Sequence, residues 1–247
     1  MAVMTRVRIT ALTHRGLVRD HNEDCVGWSG WAFNGEVTQP VSMEMEIAAP
    51  SVVVVCDGMG GHAAGETASR LAATLITAPG ALGPATTQSV TALLQQVSDT
   101  INDVAVKDPA LTGMGCTVVG AVLYPGGTAL VFNVGDSRCY RVEGQYLAQL
   151  SVDHRDATSN GLTQALGGGG RIFLEPDFFE CRLPSEPGLL LCSDGLDDYA
   201  DPLEIEKQVL SAGSTLEMDL RDLALRGGGG DNVTIVSVNT AEERAVG

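Results

Sequence analysis

The sequence predicts an α+β fold, a layered sandwich in which helices cover sheets built largely of antiparallel strands. Three observations lead there. Strand-like runs open the chain, two helical stretches follow, then many short strands, more helices and a last strand. This order is not the regular βαβα alternation of a doubly wound parallel sheet. The short strands are separated by turn residues ("YPGG", "GD", "EGQ"), as in an antiparallel meander. Finally, 247 residues with 44% hydrophobic content can bury a sizeable core, and no internal repeat or Pro/Ser-rich linker divides them. One domain over residues 1–247 is expected.

The elements follow in order. Val7, Ile9 and Ala11 alternate on one side, as an opening strand would. Residues 27–50 carry turn residues in "WSGWAFNGE" and "TQPVSMEME", and a hairpin with an extended loop is expected there. Residues 52–56 ("VVVVC") read as a fully buried strand. Residues 65–78 form a helical stripe of Ala68, Leu71, Ala72, Leu75 and Ile76, which "PGALGP" breaks. A longer helix over 86–106 turns Val90, Leu93, Leu94, Val97, Ile101 and Val104 to one side. Strands are expected at 116–123, 129–134, 137–142, 146–150, 178–183 and 189–192, helices at 202–210 and 215–226, and a last strand at 233–238.

Composition excludes several function classes. A net charge of -16 argues against nucleic acid and anionic membrane as partners, since both attract basic patches. No apolar run approaches the ~20 residues of a membrane helix, and the start lacks the apolar core and cleavage site of a signal peptide. The 6 cysteines are scattered, without a CxxC pair, and read as reduced core residues rather than disulfides or a zinc site. Together these features point to the cytosol.

The chemistry lies in where the strands end. "VVVVCDG" ends on Asp57, "LVFNVGDSR" on Asp136 and "LLLCSDGL" on Asp194, while Asp231 precedes "NVTIVSV". Any one of these beside its glycine reads as an ordinary turn. Recurrence of the same context is harder to explain that way, because buried unpaired carboxylates are costly. The lysines and arginines look too few and too dispersed to neutralise all four. A hard divalent cation, Mg²⁺ or Mn²⁺, suits a donor set of carboxylates, carbonyls and water. Near the start, "HRGLVRDHNED" offers arginines able to grip a phosphate, though alone it would read as a solvated charged turn. "DGMGGHAAGE" lacks the lysine and spacing of a P-loop, and Ser193 in "CSDG" lacks a nucleophile elbow. The glycine runs 167–170 and 227–230 read as flexible turns. His62 stands out among the histidines because it follows Asp57 closely on a glycine-rich turn.

Taken in order, "RGLVRDHNED", "VVCDGMGGHAAGE", "GMGCT", "NVGDSRCY", "LLLCSDGL" and "RGGGGDNVTIV" resemble the bacterial metal-dependent Ser/Thr protein phosphatases of type 2C, over almost the whole chain. The resemblance implies a four-layer α-β-β-α sandwich with two metal ions at one end. Asp57 would bridge them, Asp194 and Asp231 would complete one, and the Gly58 carbonyl and Glu23 would serve the other. Asp136 with Asp194 matches a weaker third metal site. Arg19 matches the phosphate-binding arginine and His62 the general acid. The implied activity is hydrolysis of phosphoserine or phosphothreonine by a metal-bridging hydroxide, with Mn²⁺ or Mg²⁺ as cofactor, a phosphorylated protein as substrate, and a monomer as the working form.

One departure concerns the flap. Most bacterial relatives place a few dozen residues between the strand ending near Asp153 and His154 and the strand beginning near "LTQALGG"; here only residues 155–161 intervene. A short-flap phosphatase of this kind is similar to those that oppose a Ser/Thr kinase in type VI secretion. Two other functions fit the same motifs: a catalytically inactive relative that binds phosphoproteins as a regulator, and a metallo-hydrolase of small phosphate esters. Retention of Asp57, Asp194 and Asp231 favours the enzyme over the regulator.

Overall fold

A computed structural model describes residues 5–61, 63–159, 161–211 and 213–241. In chain order the elements are β1 (Thr5–His14), β2 (Cys25–Trp28), β3 (Trp31–Phe33), β4 (Val41–Ile47), β5 (Ser51–Cys56), β6 (Gly58–Met59), α1 (Ala63–Ile76) and α2 (Thr87–Lys107). They continue with β7 (Gly115–Cys116), β8 (Val118–Tyr124), β9 (Thr128–Val134), β10 (Arg138–Glu143), β11 (Tyr146–Gln149), β12 (Leu166–Gly167), β13 (Asp177–Arg182) and β14 (Leu189–Cys192). Last come α3 (Asp194–Asp197), α4 (Pro202–Leu210), α5 (Leu216–Arg226) and β15 (Val233–Thr240).

Two 6-stranded sheets, β11-β10-β14-β15-β1-β4 and β13-β9-β8-β5-β2-β3, pack face to face. A 3-stranded ladder, β12-β7-β6, adjoins them. The period-2 alternation of side chains explains the layers. Within β5, Val53 and Val55 face the other sheet, where they meet Val7, Ile9, Leu191 and Val236. Val52, Val54 and Cys56 face the other way, onto Ala68, Ala72 and Ile76 of α1 and Val90, Leu94 and Val97 of α2. On the far side, Leu190, Cys192, Val233 and Ile235 pack on Ile205 and Val209 of α4 and Leu220 and Ala224 of α5. The expected α-β-β-α layering is therefore present. All six cysteines are buried and free.

The helices form where their apolar stripes predict. Thr86 caps α2: its side chain accepts from the Ser89 amide, and Ser89 Oγ accepts from the Thr86 amide. Pro202 opens α4 behind the Asp201 cap. Val104 is only partly buried against the core.

Three expectations need correcting. The strands over 116–150 are not one meander. β8 and β9 lie in one sheet, β10 and β11 in the other, and the chain crosses between sheets at Gly135 and Asp136. Gly135 allows this bend with φ of 112°, and a Cβ there would lie 2.6 Å from the Thr117 side chain. Residues 27–50 form more than a hairpin. β2 and β3 make the hairpin at one sheet edge, and β4 then crosses to pair with β1 at the edge of the other sheet. The glycine run 227–230 is packed rather than loose: a Cβ on Gly230 would lie 2.2 Å from the Tyr199 hydroxyl oxygen.

Leu191 is fully buried between the sheets. Leu191→Ala is expected to lower unfolding free energy by about 2–5 kcal/mol in urea titrations, the usual range for a buried leucine that leaves a cavity. A loss below about 1 kcal/mol would mean that this layer is not close-packed.

Candidate active site

The strand ends deliver the acidic residues to one end of the sandwich. Asp57 follows β5 from one sheet, while Asp194 follows β14 and Asp231 precedes β15 in the other. Asp136 sits on the crossover from β9 to β10. The loop from β1 to β2 carries Arg19 and Glu23. All of these, with Gly58, Thr117 and Leu162, line a single cleft of about 250 Å³. Every sequence-predicted site residue therefore reaches this cleft except His62, which lies outside the described residues.

Local contacts hold the parts in place. The Thr117 amide donates to the Asp57 carbonyl at 2.9 Å, and the Asp57 amide donates to Thr117 Oγ1 at 3.3 Å. A Cβ on Gly58 would lie 2.3 Å from the Gly65 carbonyl oxygen, so only glycine lets the backbone pass so near α1. Asn232, which sequence reasoning passed over, joins the two loops of the site. Its Nδ2 donates to the carbonyls of Arg15 and His21 at 3.0 Å, and its Oδ1 accepts from the Glu23 amide at 2.7 Å. Ser193 is no exposed nucleophile: it is buried, donates to Asp24 Oδ2 at 2.8 Å and accepts from the Thr234 amide.

The arginines reach three of the four acids, more than their dispersal along the chain suggests, and leave the fourth, Asp57, without one. Arg19 Nη2 donates to Asp231 Oδ2 at 2.6 Å. Arg155 Nε donates to Asp136 Oδ2, and its Nη2 donates to Asp194 Oδ2 at 2.8 Å. Arg155 lies 39 residues from Asp194 and Arg19 lies 212 from Asp231, so no local motif signals either pair. Burial works against the Arg19 charge, but Asp231, Glu23 and Asp57 outweigh it and its pKa is raised.

Asp57 has no such partner; among the described residues it forms no ion pair with lysine or arginine. Burial, then the charges of Asp24, Asp194 and Asp231, push its carboxyl well above the usual range. Burial and Asp136 push Asp194 up to about 6. Asp24, fully buried, is pushed up to about 7 by burial, partly offset by hydroxyl donors, and among the described residues its Oδ1 has no hydrogen-bond partner. The acids are spread rather than closed into a cage: among the described residues no three acids, histidines or cysteines form a compact ligand group. The centre around Asp57 is short of positive charge, and its donors are hard oxygens. That combination fits Mg²⁺ or Mn²⁺ rather than a soft or imidazole-seeking metal.

Comparison with known proteins gives the family and the fold. A family model described as Protein phosphatase 2C matches residues 44–219. The chain is 32% identical over 253 residues to Serine/threonine phosphatase stp of Listeria monocytogenes, covering 92% of this chain and 93% of that protein. It is 30% identical to Serine/threonine protein phosphatase PstP of Mycobacterium tuberculosis, over 98% of this chain and 47% of that longer protein. Among solved structures, Stp1 from Staphylococcus aureus superposes with a TM-score of 0.78 at 26% identity, covering 98% of each chain. PppA, a key regulatory component of T6SS in Pseudomonas aeruginosa, superposes with a TM-score of 0.75 at 30% identity, covering 96% of this chain and 99% of that one.

A cation that binds only the folded chain must stabilise it. Mn²⁺ at a hundred times its Kd is expected to add about 2.7 kcal/mol, read as a rise in Tm. Asp57→Asn should melt at the same temperature with and without Mn²⁺. An unchanged wild-type Tm across a Mn²⁺ titration would contradict the charge-deficient centre.

Proposed function

We propose a mechanism on one premise: the chain belongs to the protein phosphatase 2C family and is a serine/threonine protein phosphatase. The family is metal-dependent, and its substrates are phosphoproteins. We assign Mn²⁺ or Mg²⁺ as the metal and treat residues 1–247 as one phosphatase domain. Asp57, Asp194, Asp231, Glu23 and the Gly58 carbonyl would hold two core ions. The observation that supports this most is the arrival of these groups, from the strand ends of two different sheets, at the same cleft as Arg19.

When bound, such cations supply Lewis-acid charge for the phosphoryl oxygens and a water nucleophile that ionises near neutral pH. The chain's own residues do the rest. Arg19 is half exposed and spends one nitrogen on Asp231, so its other N–H groups can grip two phosphate oxygens in parallel. That grip strengthens as charge spreads over those oxygens in a loose transition state. Asp231 steers the guanidinium over the cleft. His62 keeps its assignment as the acid that protonates the departing serine or threonine oxygen, on its sequence position alone. Glu23 is held rigidly: its amide is fixed by Asn232 and its carbonyl accepts from Ser69 Oγ at 2.5 Å.

The test is turnover of a phosphothreonine peptide with Mn²⁺. EDTA should stop it, and Asp57→Asn should match the EDTA sample. Arg19→Ala should lower kcat/KM by about 100-fold or more, the scale of losing one preorganised donor to developing charge. Wild type that binds the peptide without turning it over would favour the phosphoprotein-binding regulator. Faster turnover of a sugar phosphate than of the peptide would favour a small-ester hydrolase.

No helix among the described residues is long and apolar enough to cross a membrane. We place the working enzyme in the cytoplasm as a monomer. The likeness to PppA, a regulatory component of T6SS, supports a role in regulating type VI secretion, and we assign it the part of opposing a Ser/Thr kinase there. Deleting the gene should then raise phosphothreonine on a secretion component. An unchanged phosphoproteome would remove that role.

A further inference from the structure

The two-cation reading leaves Arg155 unused, although from the edge of the cleft it pairs with two of the acids that line it. Its Nε donates to Asp136, its Nη2 donates to Asp194 at 2.8 Å, and the same nitrogen approaches Asp198 Oδ2 at 3.5 Å. The Asp136 side chain is 7% exposed and that of Arg155 23%, so the pair is shielded from water on most sides. Salt screens such a pair far less than an exposed one.

The segment around Arg155 is built to aim it. His154 docks on the sheet crossover: its amide donates to the Gly135 carbonyl at 2.9 Å, and its Nδ1 accepts from the Gly135 amide at 3.0 Å. The other ring nitrogen lies 2.8 Å from Asp177 Oδ2. Arg155 then pairs with Leu162 in an antiparallel bridge. The Asp156 amide donates to the Gly161 carbonyl at 2.8 Å, and Asp156 Oδ1 accepts from the amides of Thr158 and Ser159, also at 2.8 Å. What stands in place of a long flap is thus a tight, internally bonded hairpin whose first residue is anchored beside Asp136.

We propose that the Arg155 guanidinium takes the position between Asp136 and Asp194 that the resemblance gives to a third metal ion, so that this chain loads two ions and supplies the remaining charge itself. The proposal rests on the two-cation reading of the cleft. Asp136 is then not a metal ligand here but the anchor of Arg155, and Asp194 serves one core ion with one side and Arg155 with the other. A planar guanidinium offers a fixed fork of N–H donors, which suits two carboxylates approaching from different strands. A metal entering there would have to displace a cation already tied to both acids.

The test counts bound Mn²⁺ per chain, by equilibrium dialysis with metal analysis. Wild type should saturate at two ions and Asp136→Asn should keep two. Arg155→Ala should bind a third, weaker ion, and the Arg155→Ala/Asp136→Asn double variant should lose it. Three ions in wild type, loss of an ion in Asp136→Asn, or two ions in a folded Arg155→Ala would each overturn the proposal. The wild-type and Asp136→Asn counts stand even if Arg155→Ala does not fold. Fewer than two ions in wild type, or undiminished binding in Asp57→Asn, would instead sink the two-cation reading and this proposal with it.

Discussion

The structure depends on holding like charges together. Burial first, and then the charges of neighbouring aspartates, raise the pKa values of Asp24, Asp57 and Asp194. Two unit charges 4 Å apart at an effective dielectric of 20 interact by about 4 kcal/mol, comparable to much of a domain's net stability. Such a cluster survives only where rigid elements hold it and positive charge is brought to it. Arg19 and Arg155 bring part of that charge, and among the described residues Asp57 is left without an ion pair to lysine or arginine.

The layered core provides the rigidity. Three apolar layers, one between the sheets and one under each pair of helices, fix the strand ends at one rim of the sandwich. No single sheet could do this. Asp57 belongs to one sheet while Asp194 and Asp231 belong to the other, so their approach follows from the face-to-face packing of Val53 and Val55 against Leu191 and Val236. Small residues then allow the last close approaches. Gly58 runs beside Gly65, and Gly195 beside the Asn232 carbonyl oxygen, where a Cβ would lie 1.9 Å away.

The short hairpin after His154 brings Arg155 onto Asp136 and Asp194. The segment carries a cation to the edge of the cleft. Its order comes from local bonds of Asp156 and from His154 against Gly135, rather than from an apolar core of its own. The cleft rim is therefore set by the same sheet crossover that places Asp136.

Sequence alone determined the layers and the kind of site. The continuous apolar run "VVVVC" and the helical stripes of α1 and α2 each depend on neighbours a few residues away, so the pattern survives in the bare chain. The same holds for an aspartate at the end of each apolar run, which marked Asp57, Asp136, Asp194 and Asp231. The split of the expected meander between two sheets was not legible, because turn residues mark a reversal without saying which sheet the next strand joins. Nor was the partner of each acid. Arg155 and Asn232 look like ordinary loop residues, and their pairing with Asp136, Asp194 and Glu23 exists only once distant strands pack. Hydrophobic periodicity is a short-range property and can be read off the chain; charge pairing is a property of distance in space, and only the closed sandwich decides it.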